Sequence, residues 1–168
     1  AQAGVNWFLP YQLNPSLIIQ YAFGSGDNDK TNYMDPRGNV RGNDTGFLGF
    51  GTYVGGYALR PQLANLHVIR GGGSFTPFSE MGQLWLQRLS LTAKYSYYMK
   101  HRAAGVINSG EASEPERFVG HGGDVILRWK VLYDFSIFGG YAIFLPGDAF
   151  PDSADNRTFA MGGVTLVF

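Results

Sequence analysis

Residues 89–101 read LSLTAKYSYYMKH, and the fold turns on them. Leu89, Leu91, Ala93, Tyr95, Tyr97, Met99 and His101 take the odd positions, while Ser90, Thr92, Lys94, Ser96, Tyr98 and Lys100 take the even ones, with Arg102 just beyond. A period of two is the period of a strand, whose successive side chains point to opposite faces. A strand of that length spans about 40 Å, where an ordinary globular strand has about five or six residues. A soluble sheet has little use for such length.

The composition is compatible with a different solvent. The chain has 168 residues, 45% of them apolar and 15% charged, which excludes disorder and leaves material for one compact unit. No run approaches the eighteen or so consecutive apolar residues of a membrane helix, so any crossing must be made by strands. Twenty-four glycines with thirteen Phe and ten Tyr are the mixture expected where strands curve tightly and aromatic girdles mark two interfaces. With no cysteine, disulfides, thiolate metal sites and cysteine catalysis drop out. Thirteen basic and thirteen acidic residues cancel, so no bulk field recruits nucleic acid.

Working outward from residues 89–101, strand-like runs alternate with turn chemistry. VNWFLPYQL (5–13) and LIIQYAFGSGD (17–27) flank Asn14-Pro15-Ser16 as a hairpin. A polar stretch from 26 leads into the ambiguous FLGFGTYVGGYALRP (47–61), then the strand NLHVIRGGGSF (65–75). FVGHGGDVILRWKVL (118–132) turns at Tyr133-Asp134 into FSIFGGYAIFL (135–145), and TFAMGGVTLVF (158–168) follows a last polar loop. Connections alternate short and long, the mark of an outer-membrane barrel; only residues 76–88 blur the rule. Ala160, Gly162, Val164, Leu166 and Phe168 share one face, and a terminal aromatic on such a strand resembles the signal read by the barrel assembly machinery. Phe168 is therefore the expected assembly signal, the plainer reading being an ordinary strand end.

A charge facing lipid near the midplane costs roughly 2–4 kcal/mol, so the Tyr95, Tyr97 and Met99 face must meet lipid and the lysine face must look inward. Val119, His121, Val125, Leu127 and Trp129 form the corresponding outer parity of the next strand, and pairing through the loop puts Lys94 near the level of Arg128, with register free to slip by two. Sorted by place, Arg70, Lys94, Lys100, Arg102, Arg128 and Lys130 fall inside strands, and Asp124 is the one acid that joins them. The wall is basic, and rings of Arg and Lys are what an anion-selecting pore uses. These six residues are the expected pore-lining, anion-binding set. The competing reading pairs them with acids carried on inward-folded loops or on other wall strands.

Other chemistry is thin. His67, His101 and His121 have no carboxylate or helical partner at ligand spacing, so a metal site would need convergence in space. Asp27, Asn28 and Asp29 offer calcium-type oxygens but no distal bidentate Glu, and Asp and Asn beside Gly usually build turns. No hydrolase elbow or Ser, His and Asp order is present. The expectation is a non-enzyme without metal or cofactor. A glycine triplet at 71–73 and pairs at 122–123, 139–140 and 162–163 mark sharp curvature or room for an inward loop.

YAFGSGDND (21–29) and LRPQLANLHVIRGGGSF (59–75), followed in order by LSLTAKYSYYMKHR, resemble the C-terminal part of the alginate export outer-membrane protein family. The resemblance implies an all-β fold, an antiparallel transmembrane β-barrel of about eighteen strands, and a basic lumen passing an anionic polyuronate. It also implies that residues 47–61 belong to a long extracellular loop. Seven strands then remain, whereas bacterial barrels have an even number. Residues 1–168 are thus either the C-terminal segment of a large barrel or a small eight-stranded barrel, its eighth strand hidden in 47–59 or around 84–87. The expected role is a porin-like channel of the bacterial outer membrane for an anionic solute or polysaccharide. The alternative is a closed structural or binding barrel whose loops meet a surface partner. Outer-membrane lipid and the assembly machinery are the other expected partners, and nucleic acid is not.

Overall fold

The computed structural model describes residues 1–35, 42–47 and 53–167. Seven strands form one sheet in sequence order: β1 (Gln2–Phe8), β2 (Ser16–Gly24), β3 (Leu66–Phe75), β4 (Leu89–Lys100), β5 (Phe118–Lys130), β6 (Phe135–Pro146) and β7 (Arg157–Leu166). Every neighbouring pair is antiparallel. The helix α1 (Leu84–Gln87) is a single turn, and no helix among the described residues is long and apolar enough to cross a membrane. Among the described residues neither expected hiding place carries an eighth strand: 84–87 is helical and 47 and 53–59 hold no strand, while 48–52 and Phe168 lie outside the described residues. The first hairpin is also shorter than expected. β1 stops at Phe8, because Pro10 has no N–H to give a ladder and Leu13 and Asn14 turn the chain at positive φ.

The pleat separates two faces as the alternation requires. Outward stand Val5, Trp7, Leu17, Ile19, Tyr21, Ile69, Tyr95, Val125, Tyr141 and Val164, all exposed. Near the long loops this face carries a ring cluster of Tyr97, Phe118 and His121. Near the short turns Trp85 and Trp129 pack 5.5 Å apart, and Trp129 Nε1–H donates to Trp85 C=O at 2.9 Å. Phe118 lies opposite Met99 and Trp129 opposite Leu89. The ten steps from Leu89 to Met99 span about 34 Å of strand, or about 26 Å along the normal at a tilt near 40°. That matches the roughly 25 Å apolar band of an outer-membrane barrel.

The main core cluster lies on the inner face, at the long-loop end. Leu66, Val68, Tyr98, Val119 and Phe144 point inward from the strands and meet Leu59, Leu63, Ile107, Ala112, Ala149 and Phe150 from the three long loops. Each fully buried large apolar side chain contributes about 1.5–3 kcal/mol. Val119 departs from its expected outward parity. A bulge between Tyr98/Met99 and their β5 partners inserts one extra residue, and Gly120 takes it up at φ +140. Val119 therefore turns into the core and is fully buried.

Asn65 closes this end. Its φ is +51, its Nδ2–H₂ donates to Arg102 C=O (3.1 Å) and Val106 C=O (3.0 Å), and its Oδ1 accepts Arg102 N–H at 2.7 Å. The side chain is fully buried, so its loss leaves backbone groups unpaired. Asn65→Ala is expected to weaken local protection by about 2 kcal/mol, seen as roughly thirtyfold faster amide exchange at Arg102, while exchange within β6 is unchanged.

Candidate functional site

Register places the inner side chains in rows across the sheet. One row runs Gly4, Gln20, Arg70, Ser96, Gly122, Phe144, Arg157; the next runs Asn6, Ile18, Gly72, Lys94, Asp124, Ala142, Phe159. Lys94 is thus level with Asp124, four residues from the expected Arg128, which pairs with Ser90. The shift exceeds the two residues allowed for, because loop length does not reveal where a loop begins to pair or that β5 holds a bulge.

Three inner cations are committed to holding loops. Arg70 donates through Nε to Ser96 Oγ (3.0 Å), through one terminal nitrogen to Val54 C=O (2.6 Å) and through the other to Asp124 Oδ2 (2.8 Å). Asp124 Oδ1 accepts Tyr57 N–H at 3.1 Å, and Tyr98 O–H donates to Gly55 C=O at 2.6 Å. Residues 53–57 are thereby pressed against the wall, and Gly56, at φ +151 beside the Tyr98 hydroxyl, has no space for a Cβ. Arg70 and Asp124 are both buried, a pairing that resists loss of either partner. Lys100, fully buried, gives Nζ–H bonds to Ala112 C=O (2.9 Å) and Glu114 C=O (2.6 Å). Arg157 binds Glu111 at 2.8 Å, and Glu111 also accepts Asn108 Nδ2–H at 2.7 Å.

Lys94 is different. It is half-buried, and among the described residues its Nζ makes no hydrogen bond or ion pair. It borders a cavity of about 610 Å³ together with Gln2, Asn6, Gln20, Tyr53 and Arg70. Arg128 and Lys130 are exposed toward the short turns, Arg128 about 13 Å along the strand from the Lys94 row, and Lys130 sits 5.0 Å from the Tyr133 ring. Arg102 corrects a sequence expectation: β4 ends at Lys100, and Arg102 is exposed in the turn beyond it. The six expected residues therefore do not form one lining. Arg70 and Lys100 are buried structural ties, Lys94 faces open space, Arg128 and Lys130 stand at the far end, and Arg102 lies outside the strands.

Two inner cations escaped the sequence reading. Arg157 opens β7 on the parity of Phe159 and Met161, so extending that alternation one step back finds it. Arg60 lies over the Phe159 ring at 4.3 Å, with Tyr57 stacked on the same ring. Residue 60 is in a loop with no periodicity, and nothing local marks it.

The calcium-type trio is a turn device. Asp27 Oδ2 accepts Thr45 N–H (2.8 Å) and Thr45 Oγ1–H (2.9 Å), and Oδ1 accepts Asp29 N–H (3.3 Å). No group of three His, Cys, Asp or Glu side chains able to hold a metal exists among the described residues. Hydrogen bonding from Asp29 foremost, with Thr45, outweighs burial and holds the Asp27 carboxyl well below the usual 3.8. A depressed pKa contributes stability that is fully present above the unfolded value and lost as pH falls through the folded one. Protease accessibility of residues 25–47 is accordingly expected to stay flat from pH 7 to about 4 and to rise only in stronger acid; Asp27→Asn should remove that acid step.

The family model described as alginate export matches residues 1–162. No curated protein matches the chain.

Proposed function

We infer, from the premise that this chain belongs to the alginate export family, that its inner face conducts an anionic, uronate-rich polysaccharide. The family is one of outer-membrane β-barrel transport channels rather than enzymes, and the all-β antiparallel sheet is in keeping with it. Anion preference and the uronate are our reading. The observation that carries it is Lys94, a cation left unpaired among the described residues in a cavity whose other lining includes the amides of Gln2, Asn6 and Gln20. An ammonium suits a carboxylate, and amides that both donate and accept suit sugar hydroxyls. The buried pair of Arg70 and Asp124 cancels its own charge, which leaves Lys94 to set the local sign.

One feature favours the second reading, a plugged binding barrel: the three long loops fill the inner face at their own end. Planar-bilayer recording separates the two. The protein is expected to give an anion-selective conductance that oligouronates block and neutral oligosaccharides of equal length leave open. A silent bilayer would favour the plugged barrel, and block by both sugars would remove the charge from the recognition.

A further inference from the structure

The outward face near the long loops carries more than aromatic rings. His67 lies directly opposite Met99 in the β3–β4 ladder, and His101 follows Met99 by two residues, on the same face. His101 N–H donates to Asn65 C=O at 3.1 Å, which carries the ladder pattern one step past β4. His67 and His101 consequently approach diagonally, their ring centroids 5.6 Å apart. Two imidazoles bound to one metal at about 2.0–2.1 Å per nitrogen hold their centroids roughly 5–6 Å apart.

The surroundings fit a ligand pair. Tyr21 Oη and His67 Nδ1 lie 2.8 Å apart; in the tautomer whose Nδ1–H donates to the phenolic oxygen, the ring is fixed and Nε2 keeps its lone pair for a metal, the arrangement that outer-shell partners impose on metal-binding histidines. Phe23 stacks on His67 at 4.6 Å and meets the His101 ring edge-on at 5.1 Å. His67 and Met99 stand at the long-loop edge of the apolar band and His101 two residues beyond it, and all three are part-exposed, so an ion can reach them from the water side.

We infer that His67, Met99 and His101 form a binding site for a soft monovalent cation, Cu(I) or its surrogate Ag(I). A thioether beside two imidazoles selects a soft ion over hard ones. Arg102 and Arg117 place positive charge near His101, which opposes a doubly charged ion more than a singly charged one. His121 supplies the contrast: it bonds to Tyr95 and is ringed by Tyr97 and Phe118, with neither histidine nor methionine as its partner across the ladder.

The test uses the protein refolded in detergent micelles, with Ag(I) titrated in nitrate buffer and Cu(I) measured anaerobically against a chromophoric chelator. One equivalent should bind, with the Met99 methyl resonance shifting as it does. Met99→Leu keeps an apolar side chain of similar volume on the outer face and should weaken binding at least tenfold. Tyr21→Phe should cost about tenfold through loss of the ring's support, and His121→Ala should change nothing. Binding that survives Met99→Leu undiminished, a Met99 methyl that does not move, or Zn(II) held as tightly as Ag(I) would each overturn the site.

Discussion

Asp124→Ala costs about 3–5 kcal/mol of folding stability, the scale for stranding a buried charge, and widens the passage. The substitution leaves the buried Arg70 guanidinium without its carboxylate and Tyr57 N–H without its acceptor. With only Arg70, at Val54, and Tyr98, at Gly55, still holding it, the 53–57 segment loses its grip on the wall. Urea unfolding in micelles reads the first effect and single-channel conductance the second, which should rise. The double variant Arg70→Met with Asp124→Leu distinguishes charge stranding from simple loss of packing. It buries no ion, so it should recover most of the stability while keeping the raised conductance. Equal stability of the single and double variants would mean that the pair is not what makes the position sensitive.

Lys94→Gln should lower the anion-to-cation permeability ratio by up to about eightfold at low salt. A unit charge about 7 Å from a passing ion through water is worth about 0.6 kcal/mol. The sign is opposite for the two ions, giving about 1.2 kcal/mol between them. Raising ionic strength should shrink the effect as the screening length falls below that distance. Lys94→Arg should retain the preference. Lys100→Met should leave it unchanged, because the Lys100 ammonium is fully buried against Ala112 and Glu114 carbonyls. A selectivity change at Lys100 with none at Lys94 would exchange their assigned roles.

The strands were legible because each carries its own record. β4 alternates through its twelve residues and β5 from Gly120 to Lys130, below its bulge, and the membrane penalty on charge tells inner from outer face without reference to any other segment. What each inner cation does was not legible. Arg70 meets Asp124 across 54 positions and Val54 across 16, and Lys100 is covered by carbonyls at 112 and 114 that no pattern marks. The possibility that inward loops neutralise the wall was visible in the charge sort. Which cations they take depends on loop paths that short-range physics does not encode. Lys94 borders a cavity beside Tyr53 and Val54 instead of tying a loop carbonyl, and that too is a tertiary outcome. The Lys94 level was misread by four residues, since pairing register is set by where a loop hands over to the ladder.

The bulge at Gly120 gives β5 a tolerance of length at one end only. Phe118 faces Met99 and Gly120 faces Tyr98, with Val119 the surplus residue between them. Losing that residue would close the ladder into unbroken alternation and leave every pair beneath it in register. Between His121 and Lys130 the ladder holds no surplus. A residue lost there would set the two parts of the strand out of phase, so that one part would offer its charges to hydrocarbon or its apolar side chains to water. For that stretch the unit of tolerance is the pair of residues: insertions or deletions of two preserve the polarity of the wall, whereas a change of one inverts it on one side of the change, whatever amino acid is gained or lost.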